Sequence, residues 1–482
     1  MPIHHARSLA FSLVFIFYVL GPLTTSGQTS SNSGGASNVT VTIPQSVTQN
    51  GYTGSVPLRQ PTPGVLSISF LEAIDRGLKQ NLGLLLSEDN TISARGEKWK
   101  ELSNLLPNVM ATGQEVAQQT SLSALGLRLS IFPRVLGPFN YFDVRAFLNQ
   151  SVFNWNYIQK ERAAAQSVKA AEFSYKDARE LVVLVTGNAY LQAIAGAARV
   201  ETAEAQVQTA QTLFTRSSDQ LKAGVVPAID ALRAQVELQS RQQQLIAVRN
   251  EFAKQKLALA RIIGLALGQE FALADKAPYD MLIPPTLEEG LRRAYASRSD
   301  YQAALAQTRA AEFSRRAATA ERYPSFDLEG DYGDIGVNPG NSNGTFHVAG
   351  TLTVPIFQGG RVHADTLEAE ATLRQARARL EDLRGQIDND VRTALLDLNA
   401  AADQVQVARS TVDLAEQTLT QAQDRFSAGV SDNLEVVQAQ ESVASAHEAY
   451  ISSLYAHNLA KVELARALGN AEQGVKQYLK GK

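Results

Sequence analysis

The side chains with which this chain could make or break bonds are few and scattered. It has no cysteine, which excludes disulfides, thiolate metal sites, thiol nucleophiles and a lipid-modified N-terminal cysteine. His347, His363, His447 and His457 show no ligand spacing, so neither a metal site nor a cofactor is expected. No Ser-His-Asp order, paired-carboxylate pocket or phosphate-cradling loop is recognisable, and no enzymatic activity is expected. What the sequence does carry is charge in alternation. Asp327, Glu329 and Asp331 sit between Phe326, Leu328, Gly330 and Tyr332, and Asp143 and Arg145 sit among Phe142, Val144, Ala146 and Leu148. Successive side chains of a strand point to opposite faces. Such segments therefore carry charge on one face and apolar surface on the other, and their chemistry is the electrostatics of a wetted wall.

Four strands must position these residues. Phe326 to Asp334 and Phe346 to Ile356 form the clearer pair, with His347, Thr351 and Thr353 on the polar side of the second; Phe139 to Phe153 pairs with the weaker Val109 to Gln119. Each is about 10 residues long, the length that crosses a bilayer when tilted. A one-residue slip would turn Asp327, Glu329 and Asp331 towards lipid at a cost of roughly a few kcal/mol in total. Those acids, with Asp143 and Arg145, are therefore expected to line an aqueous lumen. A soluble sandwich is the competing reading, but two isolated hairpins between helices are poor sandwich material. Trp155, Tyr157 and Phe357 follow strands and fit either an interfacial aromatic girdle or packing at the strand-to-helix junction.

The strands interrupt long helical patterns. One stripe, Leu71, Ile74, Leu78, Leu82 and Leu85, predicts a helix from near Ser67 towards Leu106, where Pro107 ends it. A second pattern runs from Asn156 to Leu221 and a third from Arg361 towards Phe426, each of about 65 residues and on the order of 100 Å by the helical rise. Helices of that length need a partner along their course. Each is followed by the same phrase, QLKAGVVPAID at Gln220 to Asp230 and RFSAGVSDNLE at Arg425 to Glu435. Gly224 and Gly429 suit the left-handed residue that ends a helix, and Pro227 the first turn of a return helix. The two glycines stand 205 residues apart, as do Gly264 and Gly469. The chain is internally duplicated.

These boundaries divide it into a secretory signal peptide (1–27), a mobile N-terminal extension (28–64), a first repeat (65–264), a linker (265–285), a second repeat (286–470) and a C-terminal tail (471–482). Residues 1–27 carry His4, His5 and Arg7, an apolar stretch from Leu9 to Leu20 and then small polar residues. That stretch falls short of the ~20 residues of a membrane anchor, and no later run approaches one, so the mature protein is expected to be exported without a transmembrane helix. Thr286 with Glu288 and Glu289 resembles a capped helix start. With net charge −3 and pI near 6.1, nucleic acid is not an expected partner.

Four strands cannot close a membrane barrel, because no open edge is tolerated in lipid and such barrels begin at about eight strands. The chain must oligomerise, and three copies give the simplest closure. The order of helix, strand hairpin, long helix, Ala-Gly-Val turn and helix, given twice, resembles the TolC-type outer-membrane efflux channel family over about residues 65 to 470. PIFQGGR at Pro355 to Arg361, the turn RFSAGVSDNLEVVQAQ and the closing ELARALG carry the resemblance most. It implies a mainly α fold with membrane β: long antiparallel helical hairpins forming an α-barrel, continuous with a trimeric 12-stranded β-barrel to which each chain gives four strands. It also implies an outer-membrane location in a Gram-negative-type bacterium, contact with outer-membrane lipid, and a periplasmic adaptor and inner-membrane pump docking at the helical end. The function implied is passage of small molecules, or polypeptides, without chemistry. The turns then become adaptor-contact tips, at Ala223, Gly224 and Val225 and at Ala428, Gly429 and Val430. Asp230, Asp432 and Glu435 become candidates for a periplasmic gate. Gln438 replaces an acid often found there, and Ser431 stands where a basic tie can lie. Asp230 and Glu435 also sit in first turns of helices, where acids favour the dipole in any case. An exported coiled-coil adhesin or scaffold is the alternative function; a periplasmic hydrolase is disfavoured by the lack of a catalytic motif.

Overall fold

A computed structural model describes residues 51–478 apart from 58–60, 62, 125, 127–132, 267, 276–279, 281 and 432. The signal peptide, most of the extension and Asp432 lie outside the described residues.

Duplication is visible in element lengths. The first half contains β1 (Leu66–Ile68), α1 (Phe70–Gln80), α2 (Leu82–Ser103), β2 (Asn108–Ser121), β3 (Val135–Phe153), α3 (Trp155–Lys222) and α4 (Ala228–Ile262). After β4 (Phe271–Leu273) the plan repeats with α5 (Leu287–Ser297), α6 (Ser299–Ala320), β5 (Ser325–Asn338), β6 (Asn341–Thr353), α7 (Arg361–Ser427) and α8 (Asn433–Ala467), and α9 (Ala471–Tyr478) follows. The long helices have 68 and 67 residues and each return helix has 35.

The single helix expected from Ser67 to Leu106 is broken. Ser69 caps α1, and the Asn81 side chain accepts from Gly83 N at 2.9 Å and Leu84 N at 3.3 Å, starting α2 afresh. Arg298 breaks the second copy at the same place, its guanidinium drawn to Asp300 at 2.6 Å and Asp390 at 2.8 Å. Thr286 caps α5 through Glu289 N at 3.4 Å. Pro227 is the N-cap of α4 rather than a residue of its first turn. Residues of the linker are not all irregular: β4 pairs in parallel with β1.

The main core lies where the ends of the repeats meet. Ile68, Phe70, Tyr190, Leu259, Ile263, Phe271 and Val462 pack together, and Tyr190 Oη bonds Ile68 O at 2.8 Å and Asp275 at 3.1 Å. Ile387, Val391, Leu398, Leu464 and Leu468 form the counterpart of the second repeat. Arg466 of α8 reaches Asp177 at 2.5 Å and Glu180 at 3.2 Å on α3, so the two halves are joined by charge as well as by apolar packing. Burial pushes Glu180 up to about 7, and burial beside Asp397 does the same to Glu463. Among the described residues one helix, α3, has a window long and apolar enough to cross a membrane, against the sequence expectation of none; 61% of that window is buried within the fold. Its apolar character serves this hub.

The four long strands form one antiparallel sheet in the order β2-β3-β5-β6. They are longer than expected, 14, 19, 14 and 13 residues, and β5 and β6 meet at a tight turn around Pro339 and Gly340. Much of the stretch between the two expected strands, from Asp334 to Phe346, is therefore strand as well. Within one chain β2 and β6 remain edges.

Candidate channel wall and tips

Register decides what the sheet presents. Asp331 pairs with Phe147 and with His347, Glu329 with Asn149, Asp327 with Ser151 and Thr351, and Arg145 with Thr112 and Gly333. Directly paired residues share a face, so Asp143, Arg145, Asp327, Glu329 and Asp331 come together on one side, with Gln114, Thr345 and His347. The opposite side carries Val109, Val144, Leu148, Phe326, Tyr332, Phe346, Val348 and Leu352 by the same pairing. This apolar side stands open: Phe346 is 78%, Val348 68% and Tyr332 66% exposed. The Arg145 and Asp331 side chains on the polar side are only 16% and 14% exposed. A soluble protein would bury the apolar face; here that rule is inverted and the apolar face stands open, as in a wall between lipid and water.

Charges on the polar face are linked. Arg145 forms an ion pair with Asp331, lies 3.4 Å from Asp143 and donates to Thr345 Oγ1 at 3.0 Å. His347 Nδ1 stands 3.7 Å from Asp331. The alternation in the sequence assigned the faces; the reach of Arg145 to the other two strands has no local signal, because Asp331 and Thr345 lie 186 and 200 residues away.

At the far end of the helices both turns close alike. Gly224 has φ 73° and Gly429 φ 70°. Val225 N bonds Gln220 O at 2.9 Å and Gly224 N bonds Leu221 O at 3.0 Å, and Val430 and Gly429 do the same to Arg425 at 3.0 Å and Phe426 at 3.1 Å. These are Schellman ends, which satisfy helix carbonyls and need a left-handed residue. Ala223, Gly224, Val225, Ala428, Gly429 and Val430 are all exposed.

The three acids proposed from sequence are not equivalent. Asp230 is buried and lies 3.5 Å from Arg233 of its own helix. Glu435 is partly exposed, 3.4 Å from Arg425 across its own turn. A residue that the sequence reading passed over joins the two tips: the buried Asn433 donates from Nδ2 to the Asp230 carbonyl at 3.0 Å. Beneath it Leu213, Ala234, Ala422, Phe426, Val436 and Ala439 pack together. The aromatic residues divide as well. Trp155 sits at the junction, its ring 6.4 Å from Phe153 and 5.8 Å from the Arg162 guanidinium, whereas Phe357 is exposed. Among the described residues no group of three or more His, Asp or Glu side chains is placed to hold a metal.

The model of the outer membrane efflux protein family matches residues 101–265 and 290–470. The chain belongs to that family. It is thus an outer-membrane protein with long periplasmic helices. It is 26% identical over 328 residues to the pyoverdine export outer membrane protein OpmQ of Pseudomonas aeruginosa, a match that takes in 66% of this chain and 67% of OpmQ. It is also 26% identical over 318 residues to the alkaline protease secretion protein AprF of the same organism, over 62% of this chain and 63% of AprF. The matched stretch thus spans about two thirds of these relatives. In fold it is similar to the Campylobacter jejuni CmeC outer membrane channel, with a TM-score of 0.73 at 18% identity over 87% of this chain and 92% of that one.

Proposed function

We propose that three copies of this chain close into one efflux conduit, a 12-stranded barrel in the outer membrane continuous with a tube of long helices in the periplasm. The inverted sheet carries this reading. Its apolar face suits lipid, its polar face suits a water-filled lumen, and its two open edges, β2 and β6, require pairing with other copies because an unpaired edge is costly in lipid. The helices support assembly too. Leu232, Val236, Ile246 and Leu257 are exposed on α4, as are Leu396, Val407 and Leu414 on α7. At 100° per residue each set falls on a single stripe, as an unpartnered helix contact would. The repeats are taken as 65–264 and 286–470, with 265–285 joining them.

In this reading Asp143, Arg145, Asp327, Glu329 and Asp331 line the barrel. The exposed turns at Ala223, Gly224 and Val225 and at Ala428, Gly429 and Val430 meet a periplasmic adaptor, which links the conduit to an inner-membrane pump. Glu435 and Asp432 serve as gate residues. Asp230 serves the entrance through its carbonyl, which anchors Asn433, more than through its carboxylate. The cargo is a small molecule or a polypeptide, since relatives are named for pyoverdine export and for protease secretion. Purified protein should migrate as a trimer and conduct ions across a planar lipid bilayer; a monomer that stays in solution without detergent overturns the reading.

A further inference from the structure

Arg145 is the one arginine or lysine on the four long strands, among the described residues, and it shares the polar face with four acids, Asp143, Asp327, Glu329 and Asp331. It does not stand free. Its row of paired residues runs Thr112, Arg145, Gly333, Thr345 across β2, β3, β5 and β6. At Gly333, between Arg145 and Thr345, there is no side chain in the way, and the backbones approach so closely that a Cβ there would lie 2.4 Å from Val144 O and 2.7 Å from Arg145 Cα. The guanidinium crosses this gap to reach Thr345 at 3.0 Å and at the same time holds Asp331 one row nearer the helices and Asp143 on its own strand. A side chain bonded to three strands lies along the wall instead of projecting from it.

The charge is therefore graded along the strands. Asp327 and Glu329, nearest the helices, have no arginine or lysine partner on the sheet, whereas Asp331 and Asp143 share Arg145. We infer that Arg145, held flat on the wall, sets the ion selectivity of the barrel: it offsets one of the two outer acid charges and so leaves the larger uncompensated negative charge at the end that adjoins the helical tube. Rings of fixed charge at close quarters select ions by sign, and three copies multiply the effect at each level. The inference rests on the reading of the polar face as a lumen and adds which residue tunes it. It assigns a specificity-determining role to a cation within an otherwise acidic wall.

The test is the reversal potential of purified trimer in a planar bilayer under a potassium chloride gradient. The native channel should prefer cations. Arg145→Gln should raise the potassium-to-chloride permeability ratio about two-fold or more, because two acids per chain lose their counter-charge. Asp331→Asn should lower the ratio, and the double variant, which leaves the charge of the pair unchanged, should return close to the native value. Arg145→Lys separates charge from architecture, since it keeps the sign and loses the three-way bond; its ratio should stay near native. Should Arg145→Gln fail to assemble, Arg145→Lys and Asp331→Asn still decide the matter. A conducting native channel whose ratio is unmoved by Arg145→Gln and Asp331→Asn, or one that Arg145→Lys and Arg145→Gln shift alike, overturns the inference. Absence of any conductance in the native protein would instead count against the channel reading itself.

Discussion

The two helical turns are copies that have been put to different uses. Both end a helix of nearly 70 residues with an exposed Ala-Gly-Val at the same left-handed glycine and the same pair of backbone bonds. Past the valine they diverge. The first return helix starts at Ala228 behind Pro227, which offers no side-chain capping bond; the second starts at Asn433, which reaches across to the Asp230 carbonyl. The turn is dictated by backbone geometry and survives duplication unchanged. The tie depends on one amide side chain, and only one copy has it. One turn is therefore an anchor and the other the element held by it.

The strongest way to probe this pairing is bulk at the glycines. A Cβ at Gly224 or Gly429 meets nothing within 4 Å, so Gly224→Trp or Gly429→Trp should cost only about 1–2 kcal/mol for the left-handed backbone, leave the trimer intact and abolish export by blocking adaptor contact. Export assays beside native gels check it, and equal loss of trimer would make both glycines turn residues alone. Asn433→Ala should come next. It removes one buried hydrogen bond while the Asp230 carbonyl keeps its place in the α4 ladder, at a cost of about 0.5–1.5 kcal/mol, and should raise conductance by loosening the second hairpin. The same conductance in both proteins would show that the tie does not restrain the entrance.

The hub supplies a background against which the tips can be compared. Glu180 and Glu463 are raised to about 7 from an unfolded value near 4.5. The folded state thus holds protons that the unfolded state has lost between those values. Stability is highest at the acid end of that window, falls as pH rises through it, and has lost this contribution above 7. Thermal unfolding should show Tm falling by a few degrees between pH 5.5 and 8, less so in Glu180→Gln, while the gap between Gly224 and Gly429 variants stays constant. A flat pH profile would remove these acids from the account. The smallest effect expected is that of Glu435→Ala. Its surface pair with Arg425 is worth on the order of 0.5 kcal/mol or less, so Tm should hardly change, and a reduced cation preference would then report the entrance rather than the fold. An unchanged reversal potential takes Glu435 out of the gate.

Local signals explain why so much of the fold was legible. The long helices were expected at 156–221 and from 361 and are found at Trp155–Lys222 and Arg361–Ser427, because apolar periodicity and a terminal glycine are written into consecutive residues. The parity of the strands was legible for the same reason. Most of what escaped depended on distant partners. The break at Asn81 is the exception, because its capping bonds lie two and three residues away and are masked by an apolar stripe that runs on through it; the break at Arg298 draws on an acid of α7. The β1 and β4 ribbon joins segments about 200 residues apart, and three residues of either give no periodicity to detect.

The sequence by itself determined the duplication, the helix ends and the sidedness of the strands, since each follows from backbone preference or from side-chain period over a few residues. Tertiary structure alone decided which charges meet. It brought Arg145 over Gly333 to Asp331 and Thr345, placed Arg466 between Asp177 and Glu180, and carried Asn433 to Asp230. The physical reason is range. A helix or strand reports its own neighbours along the chain, whereas an ion pair or a hydrogen bond is formed only after register and packing have set two remote segments about 3 Å apart.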